Sequence, residues 1–446
     1  MTQAKSLGLC NERLSLAQYA NHFADAHPPL NAIQANIEAE RCYYCYDAPC
    51  TIACPTGIDI PSFIAKIAQG NLRGAAKTIL EENIMGGMCA RVCPTEVLCE
   101  QACVRNTNQE KPVEIGLLQR HATDALMANP GSALFTRANA TGKKIAVVGA
   151  GPAGLSCAHR LALLGHEVDV FDKNAKPGGL NEYGLATYKT TDNFAQKEIE
   201  WLLSIGGITL HLNQALGQDF SLESLTQKYD AVFLGIGLAG VNQLNLHTSP
   251  VIGLQNAVDF IASLRQASHA KEVVVGNQVV VIGGGMTAVD AAVQAKKLGA
   301  SEVTIVYRKG PDNMSASVEE QKWARLNDVR LQFYASPVRV LSEQETVVAI
   351  EFSKSVVVQG QVTAQTETLT LAADMVLTAV GQKLQVEDVN GLALQDGKIQ
   401  CDDNGKTAYA KIWVGGDCRP GGKDLTVEAV QHGKLAAIDI DKALNA

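Results

Sequence analysis

Ile145-Ala146-Val147-Val148-Gly149-Ala150-Gly151-Pro152-Ala153-Gly154 is a short apolar run that passes into Gly-x-Gly-x-x-Gly and opens a helix. A continuous β-branched run reads as a buried strand. The three glycines permit a tight turn, a close backbone approach to a pyrophosphate, and helix–strand packing. The next strand, Glu167 to Phe171, ends on Asp172, roughly 20 residues past the turn, where a carboxylate would accept an adenosine ribose hydroxyl. The glycine turn alone is weak evidence. Strand, turn, helix and acid together are strong, and they predict an α/β fold.

Working outward, the pattern recurs at Gln278-Val279-Val280-Val281-Ile282-Gly283-Gly284-Gly285-Met286-Thr287-Ala288, with Ala288 in the third glycine position. Its second strand, Val303 to Tyr307, ends on Arg308-Lys309 and not on an acid. Two Rossmann-like units predict two dinucleotides, and accessory motifs tell them apart. Past Asp172, Pro177-Gly178-Gly179-Leu180 is a Gly-Gly turn that lets backbone approach a flat ring system. Ile412-Trp413-Val414-Gly415-Gly416-Asp417 is a strand ending in Gly-Asp, and Asp417 would accept a ribityl hydroxyl hydrogen bond. A helix starting at Thr426 would aim its N-terminus at the ring and stabilise the charge of a reduced flavin. These features predict FAD in the first unit and an exchangeable nicotinamide in the second. For Asp417 the plain alternative is a loop acid capping the helix. Val232 to Gly237 and Met375 to Gln382, the latter carrying Ala379-Val380-Gly381 in its turn, flank the second unit. The chain is expected to leave the FAD domain near 237 and to return near 381.

Upstream lies a different chemistry. Of 12 cysteines, eight fall between Cys42 and Cys103, as Cys42-x2-Cys45-x4-Cys50-x3-Cys54-Pro55 and Cys89-x3-Cys93-Pro94-x4-Cys99-x3-Cys103. A Cys-Pro step in each group resembles the bacterial ferredoxin pattern, in which that cysteine often serves a different cluster from its neighbours. Zinc is the rival, but only Cys42 and Cys45 make a Cys-x2-Cys half and no second half completes it. Disulfides would need an oxidising compartment, whereas Met1-Thr2-Gln3-Ala4-Lys5 begins no secretory signal. The segment between reads as helices over Ile33–Glu40, Ile60–Gly70, Leu72–Leu80 and from Ile115 to about Met127, broken at 129–132. Cys157, Cys401 and Cys418 read as packing residues, and Cys10 lies in a polar N-terminal segment expected to be poorly ordered.

The 446 residues are 46% hydrophobic and 19% charged, the composition of a compact globular protein. A net charge of −8 without a basic stripe excludes nucleic acid as a partner. No apolar run reaches the roughly 18 residues of a membrane span, so a cytoplasmic protein is expected. None of the nine histidines stands in a triad or metal spacing, and His121 and His432 read as surface or capping residues. The expected domains are a helical domain over 1–138 with two clusters, FAD-binding parts over 139–237 and 381–446, and an NAD(P)H domain over 238–380.

Taken together, Cys45-Tyr46-Asp47-Ala48-Pro49-Cys50, Cys54-Pro55-Thr56 and Arg91-Val92-Cys93-Pro94-Thr95 resemble the N-terminal half of dihydropyrimidine dehydrogenases and their bacterial separate-subunit form, over residues from about 30 to 446. The small subunit of glutamate synthase shares this architecture. The resemblance implies two [4Fe–4S] clusters bound in an interleaved way: Cys42, Cys45, Cys50 and Cys103 for one, and Cys54, Cys93, Cys99 and the amide oxygen of Gln119 for the other. Cys89 is then no ligand. By itself Gln119 reads as a helix-surface residue; glutamate synthase subunits usually carry Glu there. Arg308 and Lys309 match residues that bind the 2′-phosphate of NADPH, while a further family arginine is Ser315 here and bacterial members often use NADH. Lys189 stands where the family usually has an arginine near the flavin.

The implied role is the electron-input subunit of dihydropyrimidine dehydrogenase. NAD(P)H would reduce FAD, and single electrons would pass through the clusters to a partner. With no FMN barrel before Ala446, a partner subunit carrying FMN, further clusters and the uracil and thymine site is expected, in a heterotetramer. The alternatives are a glutamate synthase small subunit, an NAD(P)H:ferredoxin-type oxidoreductase, and a relay subunit that binds its cofactors only structurally.

Overall fold

The computed structural model describes residues 8–445 apart from 110, 129–132, 248, 359–360, 386–388 and 390. The expected helix break at 129–132 and residues 1–5 therefore lie outside the described residues. The chain forms two compact units. The larger comprises His27–Glu182, Asp192–Gly240 and Lys383–Ala446; the smaller comprises Met1–Ala26, Tyr183–Thr191 and Val241–Gln382.

In the larger unit a parallel sheet runs in the order Ile412–Val414, Ala231–Leu234, Lys144–Val148, Glu167–Asp172, Ile208–Leu212. Ile145 to Val148 and Ala231 to Leu234 are buried on both faces, which is why those strands read as unbroken apolar runs. Helix Pro152–Leu163 follows the first strand and packs against the C-terminal helix Thr426–Asn445. Their approach is close because Gly433 has no side chain: a Cβ there would stand 2.1 Å from the Ala153 carbonyl.

The cysteine-rich segment of this unit is helical, with Ala32–Glu40, Ile60–Ala68, Leu72–Glu82, Gly86–Val92 and Ile115–Met127 around a core of Phe63, Ile64, Ile79, Leu80 and Leu118. Most of these helices start on a side-chain cap, as Asn31, Asp59 and Asn71 show. Lys434 ties the C-terminal helix to this segment through the Thr56 carbonyl and the Glu82 carbonyl and carboxylate.

The smaller unit repeats the architecture. Its parallel sheet has the order Leu254–Asn256, Met375–Thr378, Gln278–Ile282, Glu302–Tyr307, Arg330–Phe333. An antiparallel sheet of Ala335–Glu343, Thr346–Val358 and Gln361–Ala372 adjoins it in sequence. The N-terminal residues, grouped with the cysteine domain on sequence grounds, pack here instead. Tyr19 enters the core beside Tyr188 and Phe260, and Cys10 pairs with Val275 through backbone hydrogen bonds of 3.1 and 2.9 Å. The polar look of this stretch concealed Leu9, Leu14 and Tyr19, which supply its anchorage. Among the described residues, no helix is long and apolar enough to cross a membrane.

Candidate functional site

Each glycine turn has the stereochemistry its motif demands. Gly149 sits at φ +102 and a Cβ would strike the Gly235 carbonyl at 2.3 Å; at Gly154 a Cβ would lie 1.8 Å from the Gly149 carbonyl. Gly151 is the N-cap of helix Pro152–Leu163 and supplies no capping side chain. A Cβ on Gly151 would meet nothing nearer than the Gly179 Cα, at 3.8 Å, so the two glycines leave an open cradle above uncapped helix amides. The Asp172 carboxylate is buried, accepting from the Ala150 amide at 2.7 Å and the Asn174 amide at 2.8 Å. Its strand-end position is thus fixed from inside, with further lone pairs free to accept hydroxyls.

At the same end of this sheet, after its edge strand Ile412–Val414, Gly416 has φ +75 and lies against Ala153. Burial raises Asp417 to about 6. Thr426 Oγ1 donates to Asn181 at 2.9 Å, next to the Gly178-Gly179-Leu180 turn, so residues far apart in sequence meet here. Beside Gly415 stands His432, missed as a site residue in the sequence, whose ring burial lowers to about 4. Its Nδ1 and the neighbouring Gln431 Oε1 are buried without a hydrogen-bond partner among the described residues. Orphaned polar atoms beside a glycine cradle fit a polar cofactor such as FAD.

The second turn is built likewise. Gly283 has φ +152 with the Ala379 carbonyl 2.3 Å from a would-be Cβ, Gly284 abuts the Tyr307 ring, and Gly285 caps helix Met286–Lys297 without a side chain. Thr287 lies in the first turn of that helix. The Asn242 side chain donates to the Val380 carbonyl at 3.2 Å, and Gly381 turns at φ +93. Arg308 is exposed and Lys309 half-buried, and neither side chain has an ion pair or hydrogen bond among the described residues. Ser315 reaches the Gly284 carbonyl at 3.4 Å. Lys189, expected near the flavin, belongs to this smaller unit, where Asp290 and Glu320 each hold its ammonium at 2.8 Å. Burial disfavours its charge, but the two carboxylates outweigh burial and raise the pKa.

In the cysteine-rich segment, Cys42, Cys45, Cys50 and Cys103 line a single pocket. Cys42 and Cys45 come from the turns before helix Pro49–Ile52, where Tyr44 and Ala48 take left-handed φ of 53 and 39, and Cys50 from that helix; Cys103 arrives from 53 residues beyond Cys50 in sequence. The Tyr44 amide donates to Cys42 Sγ at 3.4 Å. Burial pushes the Cys50 thiol up to about 11, so cationic iron is what would hold it as thiolate. Cys93 is raised by its hydrogen bond with Cys89, then by burial and by Cys99 and Cys54; Cys99 is raised by burial, with Cys54 among its neighbours. The three cysteines of the second expected set therefore also gather in space, with Cys89 hydrogen-bonded to Cys93 beside them.

Pro94 forces Cys93 to an extended ψ of 133, which ends helix Gly86–Val92 and turns the cysteine out of it. Cys89 is buried beside Leu98 and Val427. Gln119 is not a surface residue: packing of its helix against Gly86–Val92 buries it, and its amide donates to the Gly86 carbonyl at 2.7 Å. All described cysteines are free, and no three His, Cys, Asp or Glu side chains among the described residues converge on one metal ion.

Glu198 was not legible from the sequence. Fully buried, it accepts from the Gly87 amide at 2.8 Å and the Met88 amide at 3.1 Å, capping the cysteine-bearing helix Gly86–Val92 from another part of the chain. Burial raises it to about 8 against the pull of Met88, Arg91 and Gly87.

Comparison with known proteins covers most of the chain. Residues 19–130 match the family described as dihydropyrimidine dehydrogenase domain II, 4Fe-4S cluster, and residues 143–433 match pyridine nucleotide-disulphide oxidoreductase. The NAD-dependent dihydropyrimidine dehydrogenase subunit PreT of Escherichia coli O157:H7 is 35% identical over 94% of this chain and 96% of its own length. The PreT subunit of Salmonella typhimurium is 33% identical over the same shares. Among solved structures, Mycobacterium tuberculosis FprA in complex with NADPH has a TM-score of 0.56 at 21% identity, covering 68% of this chain and 85% of that one. The thioredoxin reductase of T. acidophilum gives 0.53 at 16% identity over 68% and 100%; both establish the fold alone.

Proposed function

This chain belongs to the family of the NAD-dependent dihydropyrimidine dehydrogenase subunit PreT, and from that premise we propose that it is the electron-input subunit of such a dehydrogenase. It is an NAD(P)H-dependent oxidoreductase with a 4Fe-4S domain and FAD- and NAD(P)-binding folds. The observation that carries the reading is the pairing of two uncapped glycine-turn helices with a four-cysteine pocket in one polypeptide. When bound, the nicotinamide supplies a hydride, the flavin converts two electrons into single ones, and the clusters relay them.

The protein's own residues bind and position. Amides at the start of Pro152–Leu163 face the FAD pyrophosphate and Asp172 the ribose, while Gly179, Leu180, Asp417 and Thr426 surround the flavin end. Gly283 to Thr287 receive the second dinucleotide, with Arg308 and Lys309 at its adenosine ribose. Cys42, Cys45, Cys50 and Cys103 hold one cluster, and Cys54, Cys93, Cys99 and Gln119 a second. The partner carries FMN, iron–sulfur clusters and the uracil and thymine site, in a cytoplasmic heterotetramer.

Anaerobic purification with its native partner tests this. Expected are iron and acid-labile sulfide equivalent to two cubanes in this chain, bleaching of the flavin by NADH or NADPH, and uracil reduction by the complex. Colourless protein, zinc in place of iron, or a complex that turns over 2-oxoglutarate with glutamine but not uracil would overturn it.

A further inference from the structure

The tripeptide Cys-Pro-Thr occurs twice in the cysteine-rich segment, at Cys54-Pro55-Thr56 and at Cys93-Pro94-Thr95, and the reading above employs only the cysteines. The two copies turn differently. After Cys54, the Gly57 amide donates to the Cys54 carbonyl at 2.9 Å. This closes a β-turn with Pro55 at its second position and Gly57 leaving it at φ +70. After Cys93, the Thr95 amide donates to the Cys93 carbonyl at 2.8 Å. Pro94 there has φ −74 and ψ 75, an inverse γ-turn one residue tighter.

The two turns send their threonine hydroxyls to different partners. The Thr95 side chain hydrogen-bonds the Glu100 carboxylate, which also accepts from the Gly116 amide at 2.9 Å. Thr56 is only 3% exposed, and its Oγ1 lies 3.3 Å from Cys54 Sγ. That hydroxyl has no other hydrogen-bond partner among the described residues. The Thr56 carbonyl accepts from Lys434 Nζ at 3.1 Å, so the C-terminal helix holds the residue as well as its own turn. Beside a thiol, either atom of the Thr56–Cys54 pair can donate. A thiolate on iron carries no proton, so there the hydroxyl is the donor.

A hydrogen bond to a cysteinyl sulfur offsets negative charge that grows when the cluster takes an electron, and so favours the reduced state. We propose that Thr56 is a positioning residue for electron flow: its hydroxyl, donating to Cys54 Sγ, raises the reduction potential of the cluster that Cys54 anchors. This rests on the assignment of Cys54 to the second cluster in the proposed function. The Cys93 sulfur receives no such bond from its own threonine, because Glu100 has taken Thr95. One neutral hydrogen bond is worth roughly tenfold in an equilibrium constant, which for one electron is about 59 mV.

The test is a mediated redox titration of the anaerobically purified subunit, followed by EPR of the reduced clusters. Thr56→Val keeps the side-chain shape and removes the donor. It should lower the midpoint of one cluster by about 59 mV and leave the other in place, while Thr56→Ser should keep the wild-type value. Resonance Raman of the oxidised clusters needs no reductant: the iron–cysteinyl sulfur bands should shift in Thr56→Val and not in Thr56→Ser. Iron and sulfide content separates the two ways of failing. Wild type without two cubanes would sink the cluster assignment and this inference with it. Two cubanes with unmoved midpoints and bands in Thr56→Val, or equal shifts in Thr56→Val and Thr56→Ser, would overturn this inference alone. Loss of a cluster from both Thr56→Val and Thr56→Ala, with retention in Thr56→Ser, would also overturn it, since the hydroxyl would then hold the site together without setting its potential.

Discussion

The two strand–glycine–helix units differ most at the residue that closes their second strand. In the first, Asp172 is buried and spends hydrogen bonds on the turn's own Ala150 amide. In the second, the Arg308 and Lys309 side chains have no ion pair or hydrogen bond among the described residues. A carboxylate committed to protein amides fixes its turn before any ligand arrives, which suits a cofactor that stays. A cation left in solvent has little to hold it and reads whatever negative charge comes, which suits one that leaves. Two similar turns, closed by Gly154 in one and Ala288 in the other, thus differ at the one side chain that would separate retention from exchange.

The harshest way to break this comparison is Gly154→Ala. With the Gly149 carbonyl 1.8 Å from the new Cβ, the first unit has no room to yield. We expect loss of about 3 kcal/mol or more and of bound flavin, measured by denaturant unfolding and visible absorbance. Gly285→Ala meets only the Ser315 hydroxyl, at 3.3 Å, and should fold normally.

Next comes pH. Glu198 is raised from 4.5 to about 8, so between these values the native state holds a proton the unfolded chain has released. Its stabilisation is present below about 4.5 and is lost as pH rises through 8. A fall on the order of 2–4 kcal/mol across that window, flattened in Glu198→Gln, is expected from urea midpoints. An unchanged slope in the variant would assign the pH dependence elsewhere.

Asp172→Asn has one acceptor oxygen where two amides are satisfied now. It should cost roughly 1–3 kcal/mol and release FAD on gel filtration. The smallest effect belongs to the open side. Arg308→Ala and Lys309→Ala should leave stability and NADH kinetics unchanged, while the KM for NADPH rises about tenfold. Equal losses with both nucleotides would show that these cations do not read a 2′-phosphate.

Much of this was legible in local sequence. The glycine turns, their strands and the cysteine-rich helices appear where short-range patterns put them, because sterics of a turn and periodicity of a buried face act over a few residues. Lys189 and the N-terminal residues were harder. Lys189 carries no local sign of Asp290 and Glu320, and Tyr19 none of the core it joins.

By itself the sequence determined two dinucleotide units, a cysteine-rich helical segment and the inserted order of the parts. The family resemblance already grouped Cys103 with Cys42, Cys45 and Cys50, but only the tertiary structure decided that Gln119 is buried and that Glu198 caps a distant helix. Each of those depends on partners brought from far along the chain. Burial and hydrogen-bond satisfaction are settled by the whole packing and not by neighbours in sequence.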